Sequence, residues 1–157
     1  MRILVQRVRK AKVKVECDVI DSIGQGLLVF LGIENEDDIN DLEWLVNKLL
    51  HLRIFNDEKQ VMNLSLLDVK GELMVISQFT LMAATKKGNR PSYIRAASHE
   101  IAIPLHEKFL LLAEERLGKK VAKGVFGADM KISLINDGPV TIFIDSKITT
   151  ISSISTF

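Results

Sequence analysis

The sequence predicts an α+β fold: a mostly antiparallel sheet or partial β-barrel with two main helices packed outside. Three observations carry that expectation. In KAKVKVE, residues 10–16, Ala11, Val13 and Val15 alternate with Lys10, Lys12 and Lys14, the pattern of a half-buried antiparallel strand. The runs GLLVFLGI (26–33) and LMVISQFTLM (73–82) are apolar on both faces and read as buried strands. Only two stretches have apolar residues at helical spacing, and they are set apart by strands and turns.

Taken in chain order, residues 2–9 and 12–16 read as two strands joined by a short turn at Lys10-Ala11. Gly24 and Gly26 lead into the strand 26–33. After ENEDD the period becomes helical: Ile39, Leu42, Leu45 with Val46, and Leu49 share a face, and Asp37 or Asp38 caps the start. RIFND (53–57) reads as a short strand ending in a turn at Asn56-Asp57. The strand in 73–82 follows. A second helix covers about 99–117, with Ile101, Leu105, Phe109 and Leu112 on one face and Gly118 ending it. Pro104 removes a hydrogen bond near its start. Two last strands, near 130–136 and 139–145, flank NDGP, whose residues all favour a turn. The order is roughly ββββα ββ α βββ, with no repeat and no internal linker. Residues 1–146 are expected to form a single domain and 147–157 a tail. Its end, ITTISSISTF, is uncharged and β-prone, an aggregation risk if exposed.

Composition narrows the function classes. A chain of 157 residues, 47% hydrophobic, suits one domain with a real core. Its net charge of +1 supplies no global field, so a polyanionic partner must be met by a local basic patch. The single cysteine, Cys17, cannot form an intramolecular disulfide, and no Cys/His spacing resembles a zinc site. The N-terminal stretch lacks a signal-peptide core and no run reaches 18 apolar residues. A soluble cytoplasmic protein with no membrane segment, no metal and no cofactor is the expectation.

Three segments are candidates for chemistry. Ser77, Gln78 and Thr80 interrupt the apolar run 73–82, and a buried hydroxyl or amide without a partner costs about 1–3 kcal/mol. A serine or threonine nucleophile needs a base within reach. The histidines His51, His99 and His106 all fall in predicted helices and read as surface or helix-face residues with no link to this strand. Residue pattern alone leaves neighbouring backbone and a bound ligand equally open as partners for these polar groups. NDGPVT (136–141) reads as a tight turn between strands, and a Gly-Pro bond is cis in only about 5–6% of cases. TKKGNRPSY (85–93) is either a solvated loop or a phosphate-contacting one, with Lys86, Lys87 and Arg90 as its cations and Tyr93 able to stack on a base. Lys119, Lys120 and Lys123 form a weaker basic cluster. No carboxylate pair is spaced for acid–base work: Asp37, Asp38, Asp41 and Glu43 suit helix capping and solvation, and Glu114 and Glu115 a helix surface.

SQFTL (77–81), FGADM (126–130) and NDGPVT (136–141), in that order, together resemble the signature of the D-aminoacyl-tRNA deacylase family. QRV (6–8), IGQGLLVFLGI (23–33), MNLS (62–65) and KGNRPS (87–92) extend the resemblance from residue 1 to about 146. It implies the DTD-like fold, a homodimer, and hydrolysis of the ester linking a D-amino acid, or mischarged glycine, to the terminal adenosine of tRNA. It further implies that Gly138-Pro139 has a cis peptide, reaches into the other subunit's site and blocks L-amino acids there. Arg7 would hold that motif, with Asn136, Thr141 and Met130 completing the substrate-binding set. Ser77, Gln78, Phe79 and Thr80 correspond to the catalytic segment that lines the pocket, and Phe126 to the place of the terminal adenosine. Lys86, Lys87, Arg90, Pro91, Ser92 and Tyr93 correspond to tRNA-contacting positions. The family's chemistry is assisted by the terminal ribose 2′-hydroxyl, which fits the lack of a base near Thr80. Tyr93 stands where the family usually has Phe, Cys17-Asp18 where glycine is frequent, and the tail beyond about 146 exceeds the common length. The alternative function is a tRNA 3′-end binding module without turnover.

Overall fold

The computed structural model describes residues 1–148; the expectations for the tail beyond them lie outside the described residues. A fourteen-residue strand, β1 (Arg2–Val15), is the spine of the sheet. It runs straight through Lys10-Ala11, which the sequence reads as a turn. Neither residue has turn chemistry, and the alternation continues across them. Ala11 is buried and pairs with Ile23 on one side and Leu134 on the other.

β2 (Asp18–Ile23) folds back on the second half of β1 through a hairpin in which Glu16 takes φ 53°. β3 (Gly26–Gly32) pairs antiparallel with the first half. Helix α1 (Ile39–His51) begins at Asp38, whose carboxylate accepts from the Asn40 and Asp41 N–H groups while Asp41 accepts from the Asp38 N–H. That reciprocal box satisfies orphan donors of the first turn. A small hairpin of β4 (Phe55–Asn56) and β5 (Met62–Leu64) precedes β6 (Glu72–Ser77), which lies parallel to β3. Helix α2 (His99–Leu117) ends at Gly118 in the left-handed region, φ 69°, and carries Pro104 on its exposed side. β7 (Ala122–Lys123) extends the sheet beside β6.

The last strand, β8 (Met130–Asp145), differs most from expectation. Residues 130–136 and 139–145 do not form a hairpin around NDGP. Both halves pair antiparallel with β1 in the same direction, Met130 opposite Val15 and Asp145 opposite Arg2. Register shifts between Gln6 and Lys10 let residues 137–140 bulge out of the ladder instead of reversing it. Turn-forming residues therefore serve a bulge.

The sheet order is β2-β1-β3-β6-β7, with β8 also on β1, and it curls nearly into a barrel. One face carries Ile3, Val5, Leu27, Val29, Leu73 and Val75, which bury the apolar faces of both helices. The other encloses Val8, Val13, Leu28, Met74 and Ile76 against Met130, Ile132 and Leu134 of β8. Each such buried aliphatic side chain contributes about 1.5–3 kcal/mol. Glycine is required where β3 meets β6: a Cβ on Gly26 would lie 1.8 Å from the Glu72 carbonyl oxygen. The buried Met1 ammonium group donates to Asp37 and, at 2.9 Å, to Ser146 Oγ, tying the start of β1 to the approach to α1 and the end of β8.

His106 is no surface residue. It faces inward from α2, buried, with its Nε2 lacking a partner among the described residues. Burial, assisted by the charge of Lys123, lowers its pKa from 6.5 to about 4. Below pH 6.5 the unfolded chain takes up a proton that the folded state refuses, so stability falls as pH drops toward 4. Between pH 7.5 and 5 this one group should cost about 2 kcal/mol. Urea unfolding at the two pH values measures it, and His106→Leu should remove that part of the pH dependence.

Candidate active site

The site grows from the carboxyl ends of the parallel pair β3 and β6. The Gln78 N–H donates to the Leu31 carbonyl at 2.7 Å and closes the pairing. The chain then turns into a short 3-10 helix, Phe79–Met82. The strand thus ends at Ser77, and Gln78 and Thr80 do not interrupt a strand interior. Gln78 Nε2 donates to Thr80 Oγ1 at 2.6 Å. The turn leaves the Phe79 and Thr80 amides without an acceptor among the described residues.

A cavity of about 470 Å³ opens beside this turn. Its walls come from four places: Leu31 and Ile33 of the β3 end, Ser77 to Phe79, Ala96 to His99, and Phe126 to Met130 with Ile132. The third wall is pinned by a hydrogen bond from the Ala97 N–H to the Ile33 carbonyl at 2.9 Å and by an ion pair of Arg95 with the buried Glu34 at 2.6 Å. The fourth turns at Gly127, φ 75°. Phe126 is gripped edge-on by His99 and His106, with centroids 5.7 and 5.6 Å away. Met130 lies against Gly124, where a Cβ would fall 2.3 Å from its sulfur.

Of the residues singled out in sequence, the cavity gathers Ser77, Gln78, Phe79, Phe126 and Met130, but not Thr80. Phe79 is 58% exposed at the mouth and packs edge-to-face on Tyr93, with centroids 5.1 Å apart. Tyr93 follows a loop closed by reciprocal bonds between Ala84 and Ser92 at 2.8 and 3.0 Å. Lys86, Lys87, Arg90 and Pro91 stand exposed on that loop, and no carboxylate pairs with its three cations among the described residues. Ala96 and Ala97 are lining residues that the sequence does not mark; Asp129 lies there within FGADM without a role of its own. In sequence His99 reads as a helix residue unconnected to SQFTL. Nothing local signals its position, because the Ala97–Ile33 bond that brings it in joins segments far apart in the chain.

The second group lies elsewhere. Arg7, Asn136, Gly138, Pro139 and Thr141 do not line this cavity. The Gly138-Pro139 peptide is cis, and both residues are exposed at the bulge of β8. The buried Arg7 braces that bulge from beneath: Nε donates to the Asp137 carbonyl at 2.9 Å and Nη1 to the Ile54 carbonyl at 2.5 Å. Asn136 accepts from the Val140 N–H at 2.9 Å and donates to Thr141 Oγ1 at 2.8 Å. Gly138 has φ 134°, and a Cβ there would sit 2.9 Å from Arg7 Nη2. The bulge is held by Arg7 and Asn136 and does not line the cavity.

Chemically the cavity is sparse. Among the described residues His99 and Asp129 are its only ionisable lining residues, and no hydroxyl in it is hydrogen-bonded to a histidine. No cluster of three or more His, Cys, Asp or Glu suited to a metal occurs among the described residues. What it offers an acyl ester is shape, aromatic edges and backbone amides.

Comparison with known proteins is unambiguous at the family level. The family model described as D-Tyr-tRNA(Tyr) deacylase matches residues 4–145. The D-aminoacyl-tRNA deacylase of Flavobacterium psychrophilum is 56% identical over 147 residues, 94% of this chain and 98% of that protein. The D-aminoacyl-tRNA deacylase of Azobacteroides pseudotrichonymphae is 58% identical over the same shares. Among solved structures, a c-Myc DNA Unwinding Element Binding Protein superposes with a TM-score of 0.87 at 39% identity, covering 92% of this chain and 98% of that one. A probable eukaryotic D-amino acid tRNA deacylase shares the fold, with a TM-score of 0.79 at 17% identity over 91% and 97% of the two chains. With SQFTL and FGADM walling one cavity on the fold those structures share, the chain belongs to the D-Tyr-tRNA(Tyr) deacylase family, whose curated members are named D-aminoacyl-tRNA deacylases.

Proposed function

We propose that the protein removes D-amino acids, and glycine, from tRNA by hydrolysing the ester to the terminal adenosine. The observation that carries this reading is the single cavity walled by Ser77 to Phe79 and by Phe126 to Met130 in a chain of this family. Phe126, held between two histidine edges, offers a face for the adenine, and the Phe79 amide, at the cavity wall and without an acceptor among the described residues, offers a donor to the ester carbonyl oxygen. An aminoacyl ester is already activated, so alignment and preorganised donors supply what the reaction needs. The ribose 2′-hydroxyl then assists, and no protein base is required. The exposed cations Lys86, Lys87 and Arg90, with Pro91, Ser92 and Tyr93, flank the mouth as contacts for the RNA.

Chiral selection in this reading belongs to a homodimer. The Gly138-Pro139 bulge is exposed, braced by Arg7 and Asn136, and absent from its own cavity lining, which supports a role in the partner's site. A rigid backbone there rejects an L side chain by contact. Turnover separates this reading from the non-catalytic binding module.

Purified protein should hydrolyse D-tyrosyl-tRNA and spare L-tyrosyl-tRNA; equal rates on the two, or inertness toward the D form, defeats the proposal. Arg7→Lys keeps a charge but cannot bond Asp137 and Ile54 together, so L-ester hydrolysis should rise about tenfold, a loss of roughly 1.4 kcal/mol of discrimination. Unchanged selectivity in a dimeric variant would remove Arg7 from the filter. Thr80→Ala should lower kcat/KM less than about tenfold, since the hydroxyl only orients Gln78, whereas loss of a nucleophile costs on the order of 10⁶.

A further inference from the structure

The outer face of the β2–β1–β8 ribbon carries a basic track that none of the site residues uses. Lys10 and Lys12 are exposed and Lys14 half-buried, all on the side of β1 opposite Ala11 and Val13. Pairing sets Lys12 between Ser22 and Ser133, and Lys14 beside Lys131. A shallow groove of about 490 Å³ crosses the ribbon there, lined among others by Lys10, Lys12, Ser22 and Ser133. Lys131 is paired with Asp129 and Arg9 with Asp137, but no carboxylate pairs with Lys10, Lys12 or Lys14 among the described residues.

Three ammonium groups on one strand face, without a carboxylate partner among the described residues and the middle one flanked by the Ser22 and Ser133 hydroxyls, are arranged for a polyanion that runs along the strand. Alternate residues are about 6.6 Å apart in a strand, close to the separation of successive phosphates on one nucleic-acid strand. In a chain of net charge +1 this concentration of cations has to act locally. It is also a poor self-contact, because two copies would set lysines against lysines.

The track starts at the bulge. Arg9 reaches Asp137 at 2.9 Å, one residue from Gly138, and Lys10, Lys12 and Lys14 continue away from it along β1. We propose that Lys10, Lys12 and Lys14 bind the phosphate backbone of the tRNA acceptor arm whose 3′ end occupies the partner subunit's cavity. This rests on the cross-subunit reading above: the protomer that supplies the bulge also grips the RNA leading to it. The ester-bearing end and the arm behind it are thereby held by different subunits.

The test is the K10Q/K12Q/K14Q variant of the full chain. The readouts are kcat and KM on D-tyrosyl-tRNA, Kd for uncharged tRNA across a salt series, and hydrolysis of D-tyrosyl-adenosine, which lacks an acceptor arm. At 0.1 M salt KM and Kd should both rise about tenfold, and the slope of log Kd against log salt should fall by about 2. Turnover at saturation and hydrolysis of D-tyrosyl-adenosine should match wild type. Wild-type KM, Kd and salt slope in the variant would overturn the proposal, as would a variant that sediments as a monomer while wild type is a dimer. Wild-type protein inert on both esters would instead defeat the deacylase reading, and the uncharged-tRNA slope would still decide whether the lysines bind phosphate.

Discussion

The pairing of β1 with three strands at once is the constraint from which the rest of the molecule follows. Its first half lies between β3 and the end of β8, and its second half between β2 and the start of β8. β8 runs along one edge of β1 while β3 and β2 share the other, and the curled sheet encloses Val8, Val13, Met74 and Ile76 against β8. The convex side is left for α1 and α2. Where the two halves of β1 meet, the ladder to β8 loses register, and the bulge at 137–140 is the chain that the ladder cannot accommodate.

That geometry sorts the site into two groups of different character. The cavity group stands at the ends of the parallel strands, where ligand sites of open sheets commonly form. Beside its backbone amides and the Gln78 side chain it holds Ser77, His99 and Asp129, but no hydroxyl hydrogen-bonded to a histidine among the described residues. The bulge group is stiff instead of reactive: Arg7 spends its guanidinium on two backbone carbonyls from different parts of the chain. An arginine suits this task because its planar fork reaches both acceptors with little further loss of freedom. The proposed rejection of one enantiomer would use such stiffness, since a wall that yields by a fraction of an ångström no longer discriminates.

The family was legible in sequence because its motifs are short, polar and ordered along the chain. SQFTL, FGADM and NDGPVT owe their composition to the site more than to the elements they interrupt. The helices were equally plain: Asp38 caps α1 and Gly118 ends α2, where local chemistry dictates each boundary. Local reading failed where pairing partners decide. Lys10-Ala11 is strand because β2 and β8 both continue past it, and NDGP is a bulge because both of its flanks find β1. His106 lies on the buried face of α2 with Ala102, Phe109 and Ala113 and packs against Phe126, a contact with a distant segment.

By itself, then, the sequence determined the two helices, the buried strand read at 26–33, the first half of the strand read at 73–82, and the identity of the motifs. Those depend on spacing, capping and turn propensity within a dozen residues. Only the tertiary structure decided that Ser77 to Phe79 and Phe126 to Met130 share a cavity with His99, while Gly138 and Pro139 stand outside it on an arginine brace. These are contacts between segments up to 130 residues apart. They follow from which strands pair and in which register, and no short window of sequence contains that information.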